Sequence, residues 1–389
     1  MSDDTHRSAY IGLLCANTLL SSVMPMLIIL GGLAGLMLAP SPAFATFPPS
    51  VQTLAGLLVT GPFSLLMGRY GRRVGFICGA GLAIFGGALA VAAFYTSSFV
   101  LLCIAHMGFG AALACYQYFR FAAAETVPPS WQPVAISIML TSGLVAALIG
   151  PQIFIWTKDA LAPLPLAGAY AAIGLISLLG ILPLGLLRLP RPTAPARAKT
   201  DHSSLRSPKV RTAITLGAAS QGIMVLLMAP TPLAMLSCGL TEAQAGDVIR
   251  WHVVAMFAPS FLTGIIIRKF GALRIACTGL CLLILAASIA ASGMQLDIFY
   301  ASLIILGVGW NFGFIGATSL LAQAVPVEDR ASVQGINDTI LALAATLCAF
   351  GSGILVTGPG WSAVALTAIP IVLAALAVAT WGKRQLMTS

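Results

Sequence analysis

The sequence predicts an all-α membrane protein with twelve transmembrane helices, arranged as two pseudo-symmetric six-helix bundles. Three observations lead there. Hydrophobic residues make up 59% of the 389 positions and charged residues only 8%, whereas soluble domains carry roughly a quarter charged residues. The apolar runs between charged clusters reach the length of about 20 residues that a bilayer span requires. Short motifs recur 198 to 200 positions apart. No polar stretch is long enough for a large soluble domain, so an anchor of one or two spans is excluded.

Apolar runs bounded by charge and turn signals place the first six spans at Tyr10 to Leu38, Phe47 to Met67, Val74 to Tyr95, Phe99 to Phe121, Val134 to Trp156 and Leu166 to Leu187. The second six run Thr212 to Leu236, Ala245 to Ile267, Leu273 to Gly293, Ile298 to Ala322, Ser332 to Thr357 and Ser362 to Trp381. The N-terminal bundle is therefore 1–187, the linker 188–211 and the C-terminal bundle 212–389. Ala43-Phe44-Ala45 resembles a signal-peptidase site, but the run before it is about twice as long as a signal-peptide core of 7 to 15 residues. It reads as a retained first span.

The net charge of +9 does not point to nucleic acid, because the basic residues lie in short interhelical loops instead of on one face of a soluble fold. Seven of them fall in the linker, and with both termini on that side 17 of the 20 lie together. Such a bias sets orientation, giving cytoplasmic termini and a multi-pass protein of a bacterial-type inner membrane, read as a monomer among lipid. The eight cysteines show no metal-ligand spacing or CxxC pair; they read as packing residues, and no metal or cofactor is expected.

The halves repeat. Arg69-Tyr70-Gly71 matches Lys269-Phe270-Gly271, Gly108-Phe109-Gly110 matches Gly307-Val308-Gly309, and Val127-Pro128 matches Val325-Pro326. Parallel repeats of this kind build carriers whose substrate site lies near the midplane, with bundles that rock about it.

These residues resemble the major facilitator superfamily over nearly the whole chain. Its loop after span two, G-x-L-a-D-r-x-G-r-k, is met here by Leu66, Arg69, Gly71, Arg72 and Arg73, with Ser64 for the first Gly and Gly68 for the Asp. The second half repeats it with Gly264, Ile266, Arg268, Lys269 and Gly271, again without the Asp. The span-four antiporter motif R-x-x-q-G would fall on Ile104 and Met107 and is missing, whereas Gly143, Gly150 and Pro151 match part of the span-five motif. Gly309-Trp310-Asn311-Phe312-Gly313-Phe314 and Gln334-Gly335-Ile336-Asn337-Asp338 are similar to a bacterial subgroup, some of whose members are proposed to carry flavins. The resemblance implies a secondary transporter, with a proton as the default coupling ion and His252 or Asp338 as its carrier.

Ionisable groups inside a span cost about 2.5 to 3.5 kcal/mol on insertion scales, so His106, Arg120, Arg250, His252 and Asp338 stand out. Arg120, with Tyr116 and Gln117 on its helical face, could grip an anionic or carbonyl-bearing substrate, or simply snorkel or pair with Glu125. His252 could line the cavity as a hydrogen-bond donor, relay protons or pack as a neutral ring; His106, close to Gly108 and Gly110, reads as packing, and Asp247 with Arg250 as mutual neutralisation. Trp310, Asn311 and Phe314 in span ten, with Asn17 and Thr18 in span one and Ser220 and Gln221 in span seven, are the candidate cavity lining for a small, partly aromatic or amphipathic molecule. Arg69, Arg72 and Arg73 could close a cytoplasmic gate on Asp338, Glu328 or Asp329, with Arg268 and Lys269 facing Glu125; positive-inside topology alone also explains these charges. Gly143, Gly150 and Pro151 let span five bend and pack closely, and Pro25, Pro230 and Pro232 mark the first helix of each half.

Two other classes fit the sequence less well. A membrane-embedded enzyme needs clustered ligands or a nucleophile with its base, and no HExxH, GxSxG or P-loop appears. A transporter-shaped sensor or assembly subunit would bind a ligand without accumulating it.

Overall fold

A computed structural model describes residues 3–128, 131–186, 203–326 and 329–388. The chain divides into two compact units, Met1–Pro195 and Ala196–Ser389. The first contains α1 (Asp3–Ser21), α2 (Val23–Leu38), α3 (Phe47–Tyr70), α4 (Arg72–Tyr95), α5 (Phe99–Tyr116), α6 (Phe119–Glu125), α7 (Gln132–Thr157) and α8 (Ala167–Leu186). The second contains α9 (Pro208–Met228), α10 (Thr231–Ser237), α11 (Glu242–Phe257), α12 (Ser260–Phe270), α13 (Ala272–Ala291), α14 (Leu296–Ala324), α15 (Arg330–Thr357) and α16 (Trp361–Thr388). Among the described residues eleven helical runs are long and apolar enough to cross a membrane, and α7, in the fifth place, is apolar over Thr141–Thr157. The expected linker lies outside the described residues over 188–202. Where description resumes, α9 starts at Pro208, four residues before the expected start of the second bundle.

Proline accounts for three of the four interrupted spans. Pro25 cannot donate to the carbonyl four residues back, and the first span breaks at Ser22, whose amide turns to Leu19 O at 3.2 Å. Pro230 and Pro232 separate α9 from α10, and Pro259 separates α11 from α12. The fourth break, at Gln117–Tyr118, has no proline. There the Tyr118 amide bonds Cys115 O at 3.1 Å, and the turn lays Phe119 flat on Phe76, ring centroids 3.9 Å apart. Tyr116 and Arg120 therefore lie on two helices, α5 and α6, and the continuous helical face expected for them is interrupted.

The repeat seen in the sequence recurs in the packing of each unit. Gly71 has φ 93° and ψ 159°, and Gly271 has φ 90° and ψ 146°. Both join two spans in a conformation that only glycine adopts cheaply. The positions buried along α4 (Gly75, Phe76, Gly79, Ala80, Ala83, Gly86, Gly87, Ala90) return two hundred residues later on α13 as Ile275, Ala276, Gly279, Leu280, Leu283, Ala286, Ala287 and Ala290. Small residues bring backbones together, as membrane bundles require in the absence of a hydrophobic drive between helices. A Cβ on Gly279 would lie 2.1 Å from the Gly313 amide, and one on Gly110 would lie 1.9 Å from Gln52 O.

Candidate substrate site

In the second unit, Trp310 and Phe314 are one turn apart on α14 and stack, with centroids 4.9 Å apart and planes 15° from parallel. Phe257, at the end of α11, meets Trp310 edge-on at 6.1 Å. The Trp310 indole Nε1 donates to Gln221 Oε1 on α9 at 2.9 Å. The Gln221 NH2 makes no hydrogen bond with the described residues, so this amide holds the indole in place and keeps two donors unspent. Gln221, Phe257 and Phe314 are all half-buried.

Asn311, assigned to the cavity by sequence, serves another purpose. It is fully buried, and its Nδ2 donates to Met256 O and Ser260 Oγ, both at 2.7 Å, while Oδ1 accepts from Thr263 Oγ1 at 2.6 Å. Those three groups flank the Pro259 break, so Asn311 satisfies backbone and hydroxyls that the interrupted helix leaves open. Both of its donor hydrogens are used inside the bundle.

His252 is buried, with Nδ1 2.7 Å from Leu303 O on α14 and Nε2 without a partner among the described residues. Nearby on α11, Asp247 accepts from Arg250 at 2.8 Å and from the Tyr300 hydroxyl at 2.5 Å. The mutual neutralisation expected of this pair thus gains a third member, which ties α11 to α14.

In the first unit, Asn17 is buried and donates to Ser142 Oγ at 2.7 Å, joining α1 to α7. Thr18 donates back to Leu14 O at 2.9 Å. Tyr116 is buried with no hydrogen bond to its hydroxyl among the described residues, and the Ser177 hydroxyl is nearby. Arg120 is half-buried on α6. His106 is spent: Nδ1 meets Gln52 Oε1 at 2.8 Å and Nε2 the Tyr170 hydroxyl at 2.9 Å. The amide oxygen can only accept, so Nδ1 carries a hydrogen; the phenol can either donate to Nε2 or accept from it. Gly150 sits against the break of the first span, where a Cβ would lie 2.5 Å from Ser22 O and 3.2 Å from Pro25, whereas Gly143, expected to pack closely, has open space about it, and Pro151 lies inside the continuous α7.

Of the gating residues, Arg72 pairs with Glu125, Nη2 to Oε1 at 2.7 Å. The sequence reading had directed Glu125 to Arg268 and Lys269; the turn before α6 carries it to the first residue of α4 instead. Arg73 donates to the Gly185 carbonyl. Arg69 lies 5.3 Å from the ring of Tyr70, and Lys269 lies 5.3 Å from that of Phe270, the same device at the same place in each repeat. Arg268 is exposed. Asp329 accepts from Ser204 at 2.5 Å, and exposed Asp338 accepts from Gln334 and Asn337 at 2.7 and 3.2 Å. Glu328 lies outside the described residues.

Residues 212–385 match the model of the Major Facilitator Superfamily. The riboflavin transporter RfnT of Brucella anthropi is 36% identical over 362 residues, 92% of this chain and 91% of that protein. The chain belongs to the major facilitator superfamily. The uncharacterized MFS-type transporter YdeG of Bacillus subtilis is 27% identical over 376 residues, 91% of this chain and 86% of that one. Among solved structures, a bacterial homologue of the human lysosomal transporter Spinster, inward-facing and occupied, superposes with a TM-score of 0.74 at 16% identity, covering 99% of this chain and 98% of that one. The D-xylose-proton symporter also superposes at 0.74, with 14% identity, covering 96% and 97%. At these identities the superpositions speak to fold alone. This facilitator is a multi-pass membrane transporter of a small molecule, not an enzyme.

Several partners in this facilitator escaped the sequence reading: Gln52 and Tyr170 about His106, Ser142 beside Asn17, Ser260 and Thr263 about Asn311, Tyr300 on Asp247, and Phe257 on Trp310. One signal was present. Gln52 and His252 stand two hundred residues apart, so the repeat marks position 52 as the counterpart of the singled-out histidine.

Proposed function

We propose that this facilitator carries riboflavin or a closely related planar heteroaromatic by alternating access across the inner membrane, driven by the proton gradient, with both termini cytoplasmic and the monomer as the working unit. The observation that carries the reading is the stacked Trp310–Phe314 pair with Gln221 at its edge. An isoalloxazine is a flat fused ring system rimmed with carbonyls and ring nitrogens. It suits an aromatic face beside an amide with unspent donors, since an offset stack contributes about 0.5 to 1.5 kcal/mol beyond area burial. The similarity to RfnT, itself named a riboflavin transporter, extends over nine-tenths of the chain and supports the same substrate class.

The test is riboflavin flux, followed by its fluorescence, in liposomes reconstituted with the purified protein, with and without an imposed pH gradient. Trp310→Ala should raise the half-saturating concentration by about tenfold, corresponding to about 1.4 kcal/mol, and Gln221→Ala by less. The sign of the gradient dependence gives the direction of transport. Binding of riboflavin without accumulation would place the protein among ligand sensors, and neither binding nor flux would sink the substrate assignment.

A further inference from the structure

Proton-driven transport needs a group that gains and loses a proton during the cycle, and the hydrogen bonds within the two units account for most of the available ones. Arginines stay protonated in proteins. Glu125 is held by Arg72, and Asp247 by Arg250 and Tyr300. Asp338 is exposed and bonded to two amides of its own helix. His106 has both ring nitrogens engaged, Nδ1 by Gln52 and Nε2 by the Tyr170 hydroxyl.

His252 differs. Its Nδ1 faces a carbonyl, which only accepts, so Nδ1 carries the hydrogen and the lone pair is on Nε2. That nitrogen is buried and unpartnered among the described residues. The repeat shows what is missing. Gln52 and His252 stand two hundred residues apart, and a glycine of a packed helix lies against each backbone carbonyl, Gly110 against Gln52 and Gly307 against His252. In the first unit the polar chain closes through His106 onto Tyr170; in the second it stops at His252.

We propose that His252 Nε2 is the site at which this transporter takes up and releases its coupling proton. The proton from water adds to the Nε2 lone pair, giving an imidazolium that keeps its Nδ1–H bond to Leu303 O; release returns the same proton to water. Around it, α11 carries Glu242, Asp247 and Arg250. The packed helix α14 carries Asp297 and Tyr300, and α10 is followed by Cys238. Asp247 already binds both Arg250 and Tyr300, so no carboxylate among these hydrogen-bonds His252. The assignment rests on proton coupling as put forward above.

The experiment compares wild type with His252→Asn, which keeps an N–H donor toward Leu303 O but has no titrating nitrogen. Riboflavin counterflow without a gradient should be retained, with KM within about twofold. Accumulation under one pH unit, which can reach about tenfold per proton, should fall to equilibration. Gradient-driven accumulation that persists in the variant, counterflow lost in parallel with accumulation, or wild-type flux indifferent to the gradient would each overturn the assignment. If the wild type moves no riboflavin, the substrate reading has failed, and the histidine is read without substrate. In 15N-histidine NMR of the protein in nanodiscs, the resonance missing from His252→Asn should gain a proton at Nε2 on acidification; a resonance neutral throughout refutes the proposal.

Discussion

Replacing Asn311 tests whether its amide holds the broken eighth span together. Asn311→Ala removes three hydrogen bonds of 2.7, 2.7 and 2.6 Å. At roughly 0.6 kcal/mol each, the average for polar contacts between membrane helices, the loss is about 2 kcal/mol. Part is recovered, because the single Thr263 hydroxyl hydrogen can turn to Pro259 O, 2.9 Å away, and Ser260 can turn the same way. Met256 O has no such substitute, and a buried unpaired carbonyl costs about 1 to 3 kcal/mol. The sum is about 2 to 4 kcal/mol, or very roughly 5 to 10 °C for a bundle of this size. Asn311→Asp should be worse than Ala: it keeps an acceptor for Thr263 but sets a carboxylate against the Met256 carbonyl. The assay is the fraction of protein remaining monodisperse in detergent after heating, measured by size-exclusion chromatography. An alanine variant within about 1 °C of wild type, or an aspartate variant more stable than alanine, would refute the clamp.

Three other outcomes follow from the packing. Gly110→Ala and Gly279→Ala each force a Cβ to within 1.9 and 2.1 Å of a backbone atom and should lower folded yield several-fold, whereas Gly143→Ala, with open space about it, should leave yield unchanged in a fluorescence-tagged expression assay. Gly71→Ala and Gly271→Ala meet no atoms within 4 Å, so only backbone strain is charged, about 1 to 3 kcal/mol each, and equal losses in thermal stability are expected. Arg72→Glu should be rescued by Glu125→Arg in a double-mutant cycle with a coupling below about 1 kcal/mol, since the pair is partly exposed; zero coupling would show that the contact contributes nothing.

Legibility from sequence divides along a physical line. The position of each span was readable because crossing hydrocarbon demands an unbroken apolar run, and Gly71 with Gly271 was readable because a repeat places the same demand twice. Pro25, Pro230 and Pro259 are visible in the sequence, but Pro62, Pro151, Pro183 and Pro370 lie inside unbroken helices, so proline alone does not mark where a span breaks. The break at Gln117–Tyr118 carries no proline; it follows from tertiary packing of Phe119 on Phe76, and the expected shared face of Tyr116 and Arg120 was lost with it.

Partners were the hidden part. In a soluble helix one apolar stripe tells the inside from the outside; in lipid both faces are apolar, so the period of the sequence does not say which side of a span meets its neighbours. Sequence alone therefore determined a two-fold repeated set of membrane helices and the few polar residues worth watching. Only the tertiary structure decided that Asn311 is consumed by the Pro259 break, that Glu125 belongs to Arg72, and that of two buried histidines one is closed off by Gln52 and Tyr170 while the other keeps a lone pair. Those outcomes depend on contacts between residues some fifty positions apart, set by which faces the helices bring together.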